Sequence, residues 1–589
     1  MQWLEWSDEA FGEARSRGVP VLLYLHASWC RWCRELERMV LSEARIEALI
    51  AERFVAVRVD KDRRPDIDAR YSKGGWPTLA YLADTAEVIA SDAYLEVDEL
   101  AARLELVSSY YAENRDSIRT RLEEAIRAAE TPPAAPRVLH GARVPGELSR
   151  EVVAREVVDW VAQTLLETSD AVYGGWGSQH KFPHPEAIDF ALIRWSQTGD
   201  ESMRKLVVRT LRHMQQGEIH DRVGGGFYRY ATAPDWSGPH HEKVLDSNAQ
   251  RLFAYLEAYQ ALGEESFRET AQGVLRWMSE VLLDEGTGAF RGSQDADAVH
   301  ARIATVAARA EHGAPECDPT IFTNWNAIAV STLFKAASVL HEDRWREQAL
   351  RTLDFLIEEM FDERQGMYHY WDGTYHLPGL LSDQAYTLRA LIDAVQCAGG
   401  ARYLELGQAL AGLAIESLRS EGGGFFDTRH DPGARGGLRR RDRSILENSV
   451  MAEALLRLSL LTRDGDYADT ARETLVSFLG DYKRYGHFVA GYARAVDLAL
   501  NPPVHVTIVG PAERADTRAL RAAALAPYVA SRVVQVIDPA EQPGLLERCA
   551  LPAGNGGSRA YVQRGRESYA ETADPVRLPA VMARLEHGG

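Results

Sequence analysis

Apolar and polar positions along the chain change rhythm near residue 130. Before it, "VPVLLYLHA" (19–27) is an unbroken apolar run of strand length. "CRELERMVLSEARIEALIAER" (33–53) places Leu36, Met39, Val40, Ile46, Leu49 and Ile50 at helical intervals, which predicts one helix. "FVAVRVD" (54–60) is rich in β-branched residues, "GGWPTLAYLA" (74–83) is a turn followed by a strand, and "VDELAARLELVSSYYAEN" is a closing helix. These alternations predict a small α/β domain over 1–128. Residues 129–147, rich in Pro, Ala and Gly, read as a linker.

From 148 to 500 the periodicity is helical and strands are not evident. One punctuation mark recurs: "GGWG" at 174, "GGGFYRY" at 224, "GAFRG" at 288, "GMYHYWDG" at 366, "GGGFFDT" at 422 and "GHFVAG" at 486. The intervals, about 50 to 80 residues, suit two helices plus their loops. Six helical hairpins predict an all-α (α/α)6 six-hairpin toroid, with the turns gathered at one end. An open solenoid would use shorter, more regular repeats. Residues 501–589 return to alternating strand and helix patterns and read as a small C-terminal α/β subdomain.

The candidate chemistry of the first domain lies in "HASWCRWCREL" (26–36). A CxxC at a helix start sets the first thiol against unpaired backbone N–H groups and the positive end of the helix dipole, which favours thiolate. With "GGWPT" downstream, the pattern is thioredoxin-like. Cys30 is expected to be the exposed attacking thiolate, and Cys33 to resolve the mixed disulfide. Arg31 and Arg34 add positive charge. Pro77 is the position for a cis peptide bond beside the cysteines. Asp60 and Asp62 read as turn residues, with Asp60 placed to accept a proton near Cys33. The expected partner is a disulfide-bearing protein or a small thiol.

The helical region carries a second set of candidates near its turns. "TAPDWSGPHHEKVLDSNAQ" supplies Asp235, Trp236, His240, His241, Glu242, Lys243, Asp246 and Asn248. "SQDADA" adds Asp295 and Asp297, "TNWNA" adds Trp325 and Asn326, "LLSDQAY" adds Asp383, and "ILENS" adds Glu447 and Asn448. Aromatic faces, carboxylates and amides at a barrel mouth suit a sugar-like ligand, and paired carboxylates suit acid–base chemistry. Each of these types also serves as a cap or a buried hydrogen-bonding group.

Charge and cysteine use narrow the classes. A net charge of −19 excludes bulk nucleic-acid or anionic-membrane binding. The basic stretch "RGGLRRRDR" (435–443) reads as a solvated loop rather than a phosphate site. Five cysteines are too few for a disulfide scaffold, and no second CxxC or spaced His pair completes a zinc site, so no metal and no cofactor are expected. No apolar run reaches bilayer length, and the N-terminus has early acids, so the expected location is the cytoplasm.

On "WLEWSDEAF", "CRWCREL", "FVAVRVDKDRRPDID", "GGWPT", "GGGFYRY", "PHHEKVLDSNAQ", "DADA", "WNA" and "GGGFFDT", the chain resembles the spermatogenesis-associated protein 20 family over roughly residues 1 to 530. The resemblance implies a thioredoxin-like domain fused to a six-hairpin glycosidase-like barrel, similar to N-acylglucosamine 2-epimerases and unsaturated glucuronyl hydrolases. Arg31 and Arg34 stand where that family has histidines, so the thiols remain without a neighbouring His proton carrier. His241 replaces a Phe, and the segment after "DADA" is short. Gln563 and Ser568 occupy the positions of a second cysteine pair, which argues against a second redox centre. The leading expectation is thiol–disulfide exchange fused to a carbohydrate-type cleft. Alternatives are a sugar epimerase, isomerase or glycosidase-like enzyme with a docking thioredoxin domain, and a non-catalytic partner-binding protein.

Overall fold

A computed structural model describes residues 2–130, 147–552, 556–565 and 568–587. The described residues fall into two units: 2–130 together with His430–Asp442, and the remainder. Most of the expected linker lies outside the described residues. Its first two residues end the helix Val97–Glu130, and its last opens the helix Glu147–Thr168.

The first unit is built on Val21–His26, whose residues are all buried. This strand pairs in parallel with Val55–Asp60, from Val21 opposite Val55 to His26 opposite Asp60, and antiparallel with Thr78–Leu82. A fourth strand, Val88–Asp92, pairs antiparallel beyond Thr78–Leu82. It is short and only partly buried, with Val, Ile and Ala followed by Ser and Asp, and its apolar run of three is too brief to mark a strand. Helices on both faces bury the continuous apolar run of the central strand, as parallel pairing requires. Phe11, Leu23, Leu25, Val57, Ile67, Tyr71, Ala80 and Leu82 form the core.

The helix expected over 33–53 is two helices. Arg31–Leu36 widens into a π turn at Glu37–Leu41, the chain breaks at Glu43, and Ala44–Arg53 starts afresh. Ser42 donates its hydroxyl back to the Arg38 carbonyl at 2.7 Å, closing the first segment.

The basic stretch is a correction. His430–Asp442 belongs to the first unit, and Leu438 packs on that unit's core. The Tyr71 hydroxyl donates to the Ala86 carbonyl at 2.8 Å and accepts the Gly437 N–H at 2.9 Å. Gly436 sits at φ +50°, where an added Cβ would lie 2.2 Å from the Ala86 oxygen.

In the second unit, six helices form a closed inner ring: Pro185–Thr198, Leu245–Leu262, Thr323–Leu340, Leu381–Cys397, Ile445–Thr462 and Ala490–Leu500. Each packs on the next, and the last returns to the first. Six more, Glu147–Thr168, Glu201–Gln216, Glu265–Trp277, Asp343–Met360, Ala401–Leu418 and Gly465–Val476, lie outside it. Sequence dictates the layers. Glu201–Gln216 buries Met203, Leu206, Val207, Thr210, Leu211 and Met214, one stripe at helical spacing. Thr323–Leu340 is buried nearly all round. This is the (α/α)6 toroid. Short strands do occur within it, the longest being the hairpin Gly366–Trp371 with Tyr375–Pro378.

The C-terminal sheet runs in the order Arg532–Ile537, Val504–Val509, Arg559–Arg564, Ser568–Thr572. Its pairings are parallel, antiparallel and antiparallel, the same order and directions as the sheet of the first unit. It packs on the C-terminal ends of the inner helices. Gln260 donates to the carbonyls of Leu525 and Ala526 at 3.1 and 2.8 Å, Gln535 donates to Leu461 at 2.8 Å, and the Val534 N–H donates to Gln396 at 2.9 Å. The subdomain thereby covers inner helices at that end. Among the described residues, no helix is long and apolar enough to cross a membrane.

Candidate functional site

The central strand of the first unit delivers the chain to Cys30, which caps the helix Arg31–Leu36 in extended backbone. The Cys33 N–H donates to the Cys30 Sγ at 3.2 Å, and the two sulfurs are joined as a disulfide. The Trp76–Pro77 peptide is cis, and Cys30 Sγ lies 3.6 Å from the Trp76 carbonyl oxygen. Cys30 was expected to be exposed. It is 5% exposed against 1% for Cys33, so both are largely covered and Cys30 is the more accessible.

A network of aromatic and charged groups fixes the loop that carries the pair. The Trp29 indole donates to Asp62 at 2.7 Å, and Lys61 pairs with the same carboxylate. The Lys61 ammonium stands 4.6 Å from the Trp76 ring centre, and the Trp76 indole donates to Asp68 at 2.7 Å. Burial pushes the Asp68 carboxyl up from its ordinary value. Asp60 accepts N–H bonds from Ser28 at 3.1 Å, Asp62 at 2.8 Å and Arg63 at 3.4 Å. These bonds make Asp60 a positioning residue for the turn. Burial, and then the Arg58 guanidinium, push His26 down to about 3, so it is neutral beside Asp60.

The barrel candidates mostly hold the fold. Asn248 is fully buried; its amide accepts the Phe227 N–H at 2.7 Å and donates to the Phe227 carbonyl at 3.0 Å. Asn326 does the same to Phe290, Gln384 to Met367, and Asn448 to Phe425. Each amide is the fourth residue of an inner helix and grips the aromatic or apolar residue of the preceding glycine turn. Asn248 and Asn326 are therefore clamps. The first and sixth turns depart from the pattern: the helix Pro185–Thr198 has Ile188 at its fourth position, and Gly486 kinks a 3-10 stretch, Tyr482–Val489.

Lys243 is also structural. It donates to Asp221 at 2.6 Å and to the Gly225 carbonyl at 2.7 Å, as Lys181 does to Asp170 and Gly174, both at 2.7 Å. Burial pulls the Lys243 ammonium down to about 8 against the upward pull of Asp221. Burial alone would raise Asp221, but Lys243 and Arg309 hold it well below the usual carboxylate range.

Trp236 was expected as a stacking platform. It is fully buried, donates its indole N–H to the Tyr173 carbonyl at 3.0 Å and fills the space over Gly175. Asp235 is exposed and accepts from Ser237 within its own turn. Asp297 caps the helix Ala298–Arg302 and faces His312 at 3.0 Å. Half-buried Asp295 donates its backbone N–H to the Glu316 carbonyl, and Asp246 accepts the N–H of Ser247. Trp325 packs on Phe322 at 4.4 Å. Asp383 is buried against His369 at 3.0 Å, and burial raises its carboxyl. His240 stacks on Tyr230 at 4.4 Å and approaches Glu242 at 3.8 Å, while His241 meets the Tyr228 ring edge-on. Glu242 is buried with one carboxylate oxygen unpartnered.

The cavity of the barrel lies on its axis, has about 240 Å³ of free volume and is lined by all six inner helices. None of the residues singled out from the sequence lines it. Its charged side chains are Glu186, Asp189, Glu257, Lys335, Arg389, Asp393, Glu453, Arg457, Arg494 and Arg532. Most are paired. Lys335 bonds Glu257 and Gln260, Arg494 bridges Asp189 and Glu453, and Arg457 pairs with Asp393. Burial pushes Asp189 up to about 6 despite Arg494. Ala530, Ser531 and Arg532 of the C-terminal subdomain form the floor. All of these charged residues except Arg532 lie within inner helices, where no local pattern marks them as cavity residues.

Fold and cysteine geometry together define a thioredoxin-domain protein with a fused (α/α)6 barrel. A family model described as Thioredox_DsbH, a protein of unknown function (DUF255), matches residues 1–130. The chain resembles the spermatogenesis-associated protein 20 family. It is 25% identical to spermatogenesis-associated protein 20 of Homo sapiens, covering 91% of this chain and 84% of that protein. It is also 38% identical over 80 residues, 13% of either chain, to thiol:disulfide interchange protein DsbD 1 of Pseudomonas aeruginosa. A crystal structure of a sugar epimerase from a ruminal bacterium superposes with a TM-score of 0.49 at 12% identity, covering 59% of this chain and 98% of that one.

Proposed function

We propose that the protein performs thiol–disulfide exchange at Cys30 and Cys33. The observation that carries this reading is the cysteine pair itself, bonded at a helix start with the more accessible sulfur facing the Trp76–Pro77 loop. In the reducing direction, the Cys30 thiolate attacks a substrate disulfide and one substrate sulfur leaves as thiolate. Cys33 then attacks the mixed disulfide, releasing the second substrate thiol and leaving the Cys30–Cys33 bond. Two electrons pass to the substrate, and an external thiol restores the pair. The helix-start N–H groups and the Arg31 and Arg34 guanidiniums favour the thiolate. Cys317, Cys397 and Cys549 carry free thiols, which fits a reducing compartment such as the cytoplasm.

The test is reduction of a model protein disulfide by the full chain with dithiothreitol as donor. Cys30→Ser should abolish the protein-dependent rate, and Cys33→Ser should trap a mixed disulfide visible by mass spectrometry. An unchanged rate in Cys30→Ser sinks the reading.

A further inference from the structure

Among the described residues, two arginines of the axial cavity, Arg389 and Arg532, have no ion pair, and Arg532 is held by the Pro527 carbonyl. Arg389 lies over the Tyr386 ring at 4.8 Å and makes no hydrogen bond or ion pair with any described residue. A guanidinium is a rigid fork of N–H donors matched to carboxylate and phosphate oxygens, and leaving it uncommitted in a cavity is costly. Glu186 lines the same cavity, on a different inner helix. It is surrounded by protein yet exposed to the cavity, and it feels the Arg389 charge without forming an ion pair with it. The two side chains thus offer separated donors and acceptors to one occupant.

Aromatic rings flank the segment that leads into Glu186. His184 precedes Pro185 and Glu186 and holds a left-handed backbone at φ 44°. Phe182 and Phe488 flank its ring at 6.4 and 4.9 Å and are 43% and 55% exposed. Exposed apolar ring faces beside the segment that carries Glu186, with a carboxylate and a guanidinium lining the cavity, suit a molecule that is apolar on one side, hydroxylated on its edge and charged at one end. A volume of about 240 Å³ suits a single small molecule rather than a peptide. A neutral ligand would accept hydrogen bonds from the fork but would add neither a counter-charge nor the two parallel bonds that a carboxylate or phosphate forms.

We propose that the barrel cavity binds a small polyhydroxylated acid, its anionic group on Arg389, its hydroxyls on Glu186, and Phe182 and Phe488 covering its apolar edge. This site is independent of the cysteine pair.

Calorimetric titration of the full chain with D-glucuronate, D-glucose 6-phosphate and D-glucose tests it. At least one acid should bind about tenfold or more tighter than glucose. Glucuronate as the tighter acid assigns a carboxylate, the phosphate ester a phosphoryl group. Arg389→Gln should erase the preference for the acid without lowering the melting temperature, Arg389→Lys should keep part of it, and Glu186→Gln should weaken acid and glucose alike. Cys30→Ser should bind as the parent does. Equal binding of acids and glucose, no acid binding at millimolar concentration, or undiminished acid binding in Arg389→Gln overturns the proposal. So does a lower melting temperature in Arg389→Gln, which would mark the arginine as structural.

Discussion

Asn448 grips Phe425 by both backbone polar groups, accepting its N–H at 2.6 Å and donating to its carbonyl at 2.9 Å. The same amide also donates to the Ser444 carbonyl at 2.8 Å, one turn back. Asn248, Asn326 and Gln384 repeat the device in three other hairpins. A loop that would otherwise bury unpaired backbone is thus tied to the helix that follows it.

Replacing such an amide strands two buried backbone groups. Asn248→Ala should destabilise the barrel by about 2 to 4 kcal/mol. Asn248→Asp should cost at least as much at neutral pH, because its buried carboxylate would face the Phe227 and Val244 carbonyl oxygens. Differential scanning calorimetry reads both, and Cys30 alkylation should be unchanged in either variant.

Gly225 admits no side chain. Its φ is +78°, and an added Cβ would lie 2.2 Å from the Gly273 carbonyl oxygen, a backbone atom that cannot turn aside. Gly225→Ala should lower the melting temperature at least as much as Asn248→Ala, whereas Gly263→Ala, also at positive φ but with nothing within 4 Å, should be far milder.

Acid should unload the C-terminal sheet through His505. Burial, and then the Arg463 guanidinium, hold this imidazole down to about 3. The unfolded chain takes up a proton near pH 6.5 and the folded one does not. The stability from neutral His505 is therefore complete above pH 6.5 and is lost as pH falls from 6.5 towards 3. His505→Gln should flatten that loss by about 1.4 kcal/mol per pH unit. The readout is the melting-temperature difference between pH 7 and pH 5, which should shrink in the variant.

Asp62 is the shared acceptor of Trp29 and Lys61 beside the cysteines. Asp62→Ala should loosen the loop by about 1 to 3 kcal/mol, and Asp62→Asn, which keeps an oxygen for the indole, by less. Hydrogen exchange over residues 27–36 should quicken in that order, with the barrel helices unaffected.

The sequence disclosed the elements whose rules are local. An all-apolar strand followed by CxxC, and glycine turns at regular intervals, are legible because strand burial and positive φ restrict residue choice at single positions. Asn248 and Asn326 were visible as polar residues at helix starts. Their partners lie 21 and 36 residues away, so a clamp and a ligand contact looked alike. Aligning "LDSNA", "TNWNA", "LSDQA" and "ILENS" at the fourth helical position would have shown the repeat. Trp236 misled because nothing local tells a buried indole from an exposed one. Glu186 and Arg389 were missed for the opposite reason. They sit inside regular helices, and only closure of the ring turns their face into a cavity wall. The stretch 430–442 looked solvated because its contacts, Tyr71 and Ala86, lie some 350 residues earlier.

The C-terminal subdomain supplies Ala530, Ser531 and Arg532 to a cavity whose other walls come from the six inner helices. The chamber is therefore assembled from stretches of chain more than 300 residues apart. A truncation after Leu500 would keep every hairpin and still remove the chamber's base.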